Sequence, residues 1–98
     1  MSKRTLMLAI DANFSLTDLD KIQQYVTTSP DFTSWWNHIP MVFMLETELS
    51  ASVICEHLHT VAPDARFLLT EVNLAATEGY LPDISWKWFE KRAAAVPV

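Results

Sequence analysis

Thr33-Ser34-Trp35-Trp36-Asn37-His38-Ile39-Pro40, then Met41-Val42-Phe43-Met44-Leu45-Glu46-Thr47-Glu48, then Leu49-Ser50 and an amphipathic run to Val61, is the stretch that decides the fold. Aromatic residues and Thr favour extended backbone, so Phe32 to Asn37 reads as a strand. His38-Ile39-Pro40 reads as the turn, and Met41 to Glu46 as the return strand. The return strand carries no charge before Glu46, which places it centrally in a sheet; the strand with Trp35 and Trp36 belongs at an edge. Successive side chains of a strand point to opposite faces, so one Trp is expected beneath helices and the other on the open face. Ser50 then caps a helix, with Leu49 placed to staple against Ile54. Val53, Ile54, Leu58 and Val61 form its buried stripe, and Pro63 closes it.

Upstream, Thr5 to Ile10 is almost entirely apolar and ends at the polar turn Asp11-Ala12-Asn13, the pattern of a central strand covered on both faces. Ser15 reads as a helix N-cap with Asp18 three residues on, and Leu16, Leu19, Ile22 and Val26 follow at helical spacing until the chain breaks near Thr28 and Pro30. Downstream, Arg66 to Val72 is a strand with Phe67 and Leu69 on one face and Leu68, Thr70 and Val72 on the other. A polar link leads to Gly79. Tyr80-Leu81-Pro82-Asp83 then opens a short helix through Trp86, Trp88 and Phe89 to Arg92, its Lys91 and Arg92 suiting the negative end of the helix dipole. The order strand, helix, strand, strand, helix, strand defines an α+β fold, the ferredoxin-like βαββαβ sandwich. It implies a four-stranded antiparallel sheet with two helices on one face, plus the short C-terminal helix. Residues 1–92 form the domain, and 93–98 read as a flexible tail. The second sheet face inherits Met7, Ala9, Met41, Phe43 or their alternates. It is too apolar to stay wet, so the terminal helix or a second subunit must cover it.

The chain has 98 residues, half of them apolar, with a single Gly. That is the composition of a packed domain rather than a disordered one. A domain this small buries only about two-thirds of its unfolded surface. Four Trp among eleven aromatic residues exceed what such a core needs, which points to a homodimer. The formal net charge of −5, with no long run of Lys or Arg, argues against generic nucleic-acid binding and suits a basic protein partner. Cys55 is the sole cysteine, so no intrachain disulfide forms, and its place in a helix reads as a small buried hydrophobe. The apolar run that stops at Asp11 is too short for a signal peptide or a membrane span, which gives a cytoplasmic protein with no membrane contact as the expectation.

The early strand ending in Asp11, the run Trp35-Trp36 … Met41-Val42-Phe43-Met44-Leu45-Glu46-Thr47, Leu49-Ser50-Ala51 opening a helix, and Gly79-Tyr80-Leu81-Pro82 before Trp86-Lys87-Trp88 together resemble small bacterial proteins labelled SinR-family. The resemblance covers about residues 5 to 91. More distantly the chain is similar to the dimeric CRISPR-associated adaptation endonucleases and the VapD-type toxin ribonucleases, both ferredoxin-like dimers. In those relatives an Asp at the end of the first strand meets its symmetry mate across the dimer and is proposed to hold a divalent metal; the resemblance places that role on Asp11. The family label does not imply a transcription factor, because the chain shows no helix-turn-helix pattern.

Asp11 therefore has two readings, a Mg²⁺ ligand shared between subunits or a turn residue bonding its own backbone, the latter fitted equally by Asn13. Cys55, His57 and His59 do not make a zinc site: positions two apart on a helix point to different sides, and Cys55 with His59 supplies only two ligands. His38 reads as a turn residue. The chain has no Gly-x-Ser-x-Gly elbow and no Gly-rich phosphate loop. Aromatics that would stack bases lack the basic residues that accompany them in RNA-binding sheets. Trp35, Trp36, Phe43, Trp86, Trp88 and Phe89 are instead read as core and interface. The leading expectation is a small acidic homodimeric interaction or regulatory protein without catalytic activity or cofactor, meeting a protein partner, in a nucleic-acid-processing system or elsewhere. The alternative is a Mg²⁺-dependent nuclease using Asp11 from both subunits, and a third reading is a small-molecule sensor at the dimer interface.

Overall fold

A computed structural model of the protein describes residues 3–11 and 16–94. The elements are β1 (Arg4–Ile10), α1 (Leu16–Thr28), β2 (Phe32–Ile39), β3 (Val42–Thr47), α2 (Ala51–Val61), β4 (Phe67–Glu71) and α3 (Asp83–Ala94), with one 3₁₀ turn at Leu74–Ala76. The four strands form one sheet in the order β2-β3-β1-β4, and every neighbouring pair is antiparallel. β1 and β3 are thus central and β2 and β4 are edges. The expected cap Ser15, the turn residue Asn13 and tail residues 95–98 lie outside the described residues.

Alternation along the strands sorts the chain into two cores. Leu6, Leu8 and Ile10 of β1, Phe43 and Leu45 of β3, and Phe32 of β2 pack against Ile22 and Val26 of α1 and Ile54 and Leu58 of α2. Phe67 and Leu69 of β4 complete this face. On the opposite face Trp36, Val42 and Met44 meet Leu74, Phe89, Trp86 and Trp88. Phe43, offered with its alternates to the second face and also to an interface, is only 1% exposed on the two-helix face, where its register sets it opposite Leu8 of β1. The turn is Pro40-Met41, not His38-Ile39-Pro40, and β3 starts at Val42. Asn37 explains the longer β2. Its Nδ2 donates to the carbonyls of Ile39 (2.9 Å), Pro40 (3.3 Å) and Val42 (2.9 Å), which satisfies the backbone at the hairpin end and carries the strand past His38.

β2 is irregular. Its register against β3 slips between Phe32 and Ser34 and again between Trp36 and Ile39, one extra β2 residue each time. The first slip reverses the phase, so Phe32 points to α1 and α2 while Trp36 points to the other face. Trp35 and Trp36 fall on opposite faces, as alternation requires, pairing Leu45 and Met44.

Ser50 caps α2 as its sequence position indicates, accepting from the Val53 N–H at 3.3 Å. Cys55 is exposed, which corrects the expectation of burial. Ile54 and Leu58 point inward, and the next residue along a helix turns about 100° away, so Cys55 falls on the polar side with Glu56 and His59. α3 runs two residues beyond the expected end at Arg92, and its first turn is closed by the Ser85 N–H donating to the Pro82 carbonyl at 2.9 Å. The 3₁₀ turn, unforeseen in a link read as merely polar, is capped by Asn73, whose side chain accepts from the Ala75 N–H at 3.0 Å.

Candidate functional site

Two side chains, one from each of α1 and α2, converge on one carboxylate oxygen of Asp31. Tyr25 near the end of α1 donates its hydroxyl to Asp31 Oδ2 at 2.7 Å. His57, midway along α2, brings Nδ1 to the same oxygen at 2.8 Å, and the tyrosine oxygen lies 3.3 Å from that nitrogen. Asp31 precedes β2, where Ser29 Oγ accepts its main-chain N–H and Thr47 Oγ1 donates to its carbonyl. Burial alone would raise the Asp31 carboxyl. Hydrogen bonds from Tyr25 and His57, the charge on His57 and the Ser29 contact outweigh it and hold the group below the ordinary carboxylate range. Burial first, then the bond to Asp31 and its negative charge, push the Tyr25 hydroxyl up, so Tyr25 stays a donor. An ionised Asp31 can only accept, so His57 must present Nδ1–H to it; the neutral ring then carries its lone pair on Nε2, away from Asp31. Beside Tyr25 an open groove of about 270 Å³ runs between the helices, lined by Lys21, Gln24, Tyr25, Thr28 and Val61. The cluster ties α2 to the start of β2. It contains no activated nucleophile.

Nothing in the local sequence announces this cluster, because its members stand 6, 26 and 32 positions apart. The one available signal was Tyr25 itself, three residues after Ile22 on the apolar stripe of α1, and its ring does pack edge-on against Phe32 at 5.2 Å.

Asp11 follows β1 and is half-buried, its N–H donating to the Arg66 carbonyl at 3.0 Å. Among the described residues no three of His, Cys, Asp and Glu gather closely enough to hold a metal ion. Cys55 and His59 are both exposed on α2, and His57 is engaged with Asp31. His38 is a strand residue rather than a turn residue. Its Nδ1 bonds the buried Ser85 hydroxyl, and its ring leans on Trp36 at 5.2 Å.

The six aromatic residues offered to an interface divide in two. Trp36, Phe43 and Phe89 are buried within the single chain at 3%, 1% and 3% exposure and are not available to another. Trp35 is 43% exposed, and Trp86 and Trp88 are partly exposed on either flank of Phe89. α3 covers the second sheet face over β2 and β3 and is pinned there. Trp88 Nε1 donates to Ser34 Oγ at 3.0 Å. Arg92 Nε lies 3.1 Å from Glu46 Oε2, an ion pair angled too poorly for a hydrogen bond, and its guanidinium rests 4.1 Å from the centre of the Trp88 ring. Thr33 Oγ1 donates to the other Glu46 oxygen at 2.7 Å.

Beyond Thr5 and Val72, no helix among the described residues lies over β1 and β4 on this face. Met7, Ala9, Leu68 and Thr70 point there, in neither core, with Leu68 60% exposed. No helix among the described residues is long and apolar enough to cross a membrane. Comparison of the chain with family models, with curated protein sequences and with solved structures gives no match.

Proposed function

We propose that the chain is a non-catalytic, homodimeric interaction protein of ferredoxin-like architecture, whose acidic surface meets a basic protein partner. The observation that carries this reading is the apolar half-face of half-buried Met7 and Ala9 beside exposed Leu68, over which no described helix lies, since a soluble monomer rarely leaves a contiguous apolar patch without use. Charge supports the partner class. The net charge is −5, Asp20, Glu48, Glu56, Asp64, Glu78 and Glu90 are exposed, and three basic residues, Lys3, Arg4 and Arg92, are drawn into ion pairs with Glu46 and Glu71. The architectural reading is supported by the crossovers. β1–α1–β2 and β3–α2–β4 each join parallel strands across one intervening strand, with both helices on the Leu6–Phe43 face. Sedimentation equilibrium at micromolar concentration tests the dimer; a monomer mass with no concentration dependence refutes it.

The resemblance to adaptation endonucleases and toxin ribonucleases keeps a second reading, a Mg²⁺-dependent nuclease in which Asp11 of each subunit contributes. The position of Asp11 directly after β1 favours it. A nuclease assay with Mg²⁺ or Mn²⁺ separates the two. Cleavage by the wild type that Asp11→Ala abolishes establishes the nuclease, and on the leading reading neither protein cleaves.

A further inference from the structure

The two cores meet only through the sheet. They share no buried residue: α1 and α2 pack on one side, and α3 with the 3₁₀ turn packs on the other. One stretch of chain, residues 72–82, joins α3 to β4. Its two ends are tied down. The Val72 N–H donates to the Thr5 carbonyl at 3.0 Å, Leu74 is buried in the second core, and the Thr77 N–H closes the 3₁₀ turn on the Leu74 carbonyl at 3.2 Å. At the far end Leu81 packs in the second core, and the Ser85 N–H bonds the Pro82 carbonyl. Between them Glu78, Gly79 and Tyr80 are exposed, and their main chain makes no hydrogen bond with a described residue. Tyr80 stands wholly in water, and a Cβ at Gly79 would meet nothing within 4 Å. Backbone that neither packs nor bonds has the least to lose by turning, so these three residues form a hinge.

What holds α3 shut lies on its own side of the sheet. Phe89, Trp86 and Trp88 pack with Trp36 and Leu74, and three polar contacts fasten the helix along its length: Ser85 to His38, Trp88 to Ser34 and Arg92 to Glu46. All three reach β2 or β3, and none reaches α1, α2 or β4. Breaking them therefore removes no contact of the first core. Closure also leaves the Trp36 Nε1–H buried without a hydrogen-bond partner among the described residues, and opening returns that donor to water.

We propose that α3 is a hinged cover, which lifts as a unit about Glu78-Gly79-Tyr80 while the first core stays folded. Closed, it lies over Trp36, Val42 and Met44 of β2 and β3. Open, it leaves those three residues beside Met7, Ala9 and Leu68, so that one apolar face spans all four strands. The hinge thus sets how much of the second face meets the surroundings. The movement needs neither a second copy nor a partner.

Native-state hydrogen exchange of the full chain in low urea tests it. The amides of α3 should exchange through an opening with a smaller urea dependence than those of β1 and α2, since less surface is exposed. Two variants sharpen the test. Ile54→Val weakens the first core, which is present whether α3 is open or closed. It should speed the exchange of β1 and α2 about two- to tenfold and leave α3 unchanged. Ser34→Ala removes the acceptor of the Trp88 indole and alters a residue of neither core. It should speed α3 exchange about two- to tenfold, because that bond breaks on opening. If α3 amides match β1 in urea dependence, or if Ile54→Val speeds both sets equally, α3 leaves only with global unfolding and the cover is overturned. An α3 exchange rate unmoved by Ser34→Ala would show fraying in place of lifting and would overturn it too. Should either variant fail to fold, the urea dependence of the wild type decides.

Discussion

Phe89→Ala strikes the centre of the second core. The Phe89 ring is 3% exposed and touches Trp36, Trp86 and Trp88 with centroid distances of 5.1, 5.6 and 5.8 Å. Truncating a buried Phe costs about 3–5 kcal/mol. The three ring pairs, at about 0.5–1.5 kcal/mol each, are part of that figure and not an addition to it. What else holds α3 is the packing of Trp86 and Trp88 in the same core, the Trp88–Ser34 and His38–Ser85 hydrogen bonds, at about 0.5–1.5 kcal/mol each, and the Arg92–Glu46 pair. The first core shares no buried residue with the second, so it can persist alone. The substitution is therefore expected to bring α3 close to balance between docked and undocked while the sheet, α1 and α2 stay folded. In urea titrations the midpoint should fall by an amount equivalent to about 3 kcal/mol or more, and the slope should also fall because α3 no longer contributes its surface to the transition. Tryptophan emission in native buffer should shift to the red as Trp36 meets water. A loss below about 1 kcal/mol with slope and emission unchanged would show that α3 is not seated on Trp36 as described.

Ile54→Ala should lose about 2–5 kcal/mol by urea denaturation, because Ile54 is fully buried between α2 and the sheet, whereas Cys55→Ser one residue away should stay within about 0.5 kcal/mol; equal effects would place the register of α2 in error. Asp31 has a folded-state pKa below its unfolded value, so its contribution is full above the ordinary carboxylate range and disappears as pH falls through the lowered value. Wild type should therefore lose stability on acidification from about pH 4 downward, and Asp31→Asn, less stable at pH 7, should show a flatter profile there; parallel profiles from pH 6 to pH 2 would remove the Tyr25–Asp31–His57 cluster as a source of acid sensitivity.

Local pattern made the sheet legible. Alternation put Trp35 and Trp36 on opposite faces, the missing charge before Glu46 put β3 inside, and Ser50 capped α2. These features depend on neighbours in the chain. The misreadings share a different physics. The hairpin turn moved because one side chain, Asn37, reaches three carbonyls that no propensity counts. Cys55 was taken as buried on residue type, where helix phase against Ile54 decided otherwise. The His57–Asp31 contact and the pins of α3 join positions 26 to 54 residues apart, and polar contacts of that kind leave no periodic trace.

Elementary dimensions explain why the second face is only half covered. A helix with its side chains is about 10 Å across. Strands stand about 4.8 Å apart, so one helix covers about two strands. α1 and α2 together match the four strands of the first face, and there the strands carry Leu6, Leu8, Phe43 and Leu45 at 1% exposure or less. On the second face α3 is the one α-helix among the described residues, and with Leu74 of the 3₁₀ turn beside it covers β2 and β3, where Trp36, Val42 and Met44 lie. The remaining width spans β1 and β4. Residues there that needed only to face water would be expected to be polar. Met7, Ala9 and Leu68 are not, and the unprotected strand edge lies on the same side of the molecule as they do. Among the described residues an apolar half-face and an unpaired strand edge meet at β4, two departures from what a sheet that faces only water requires.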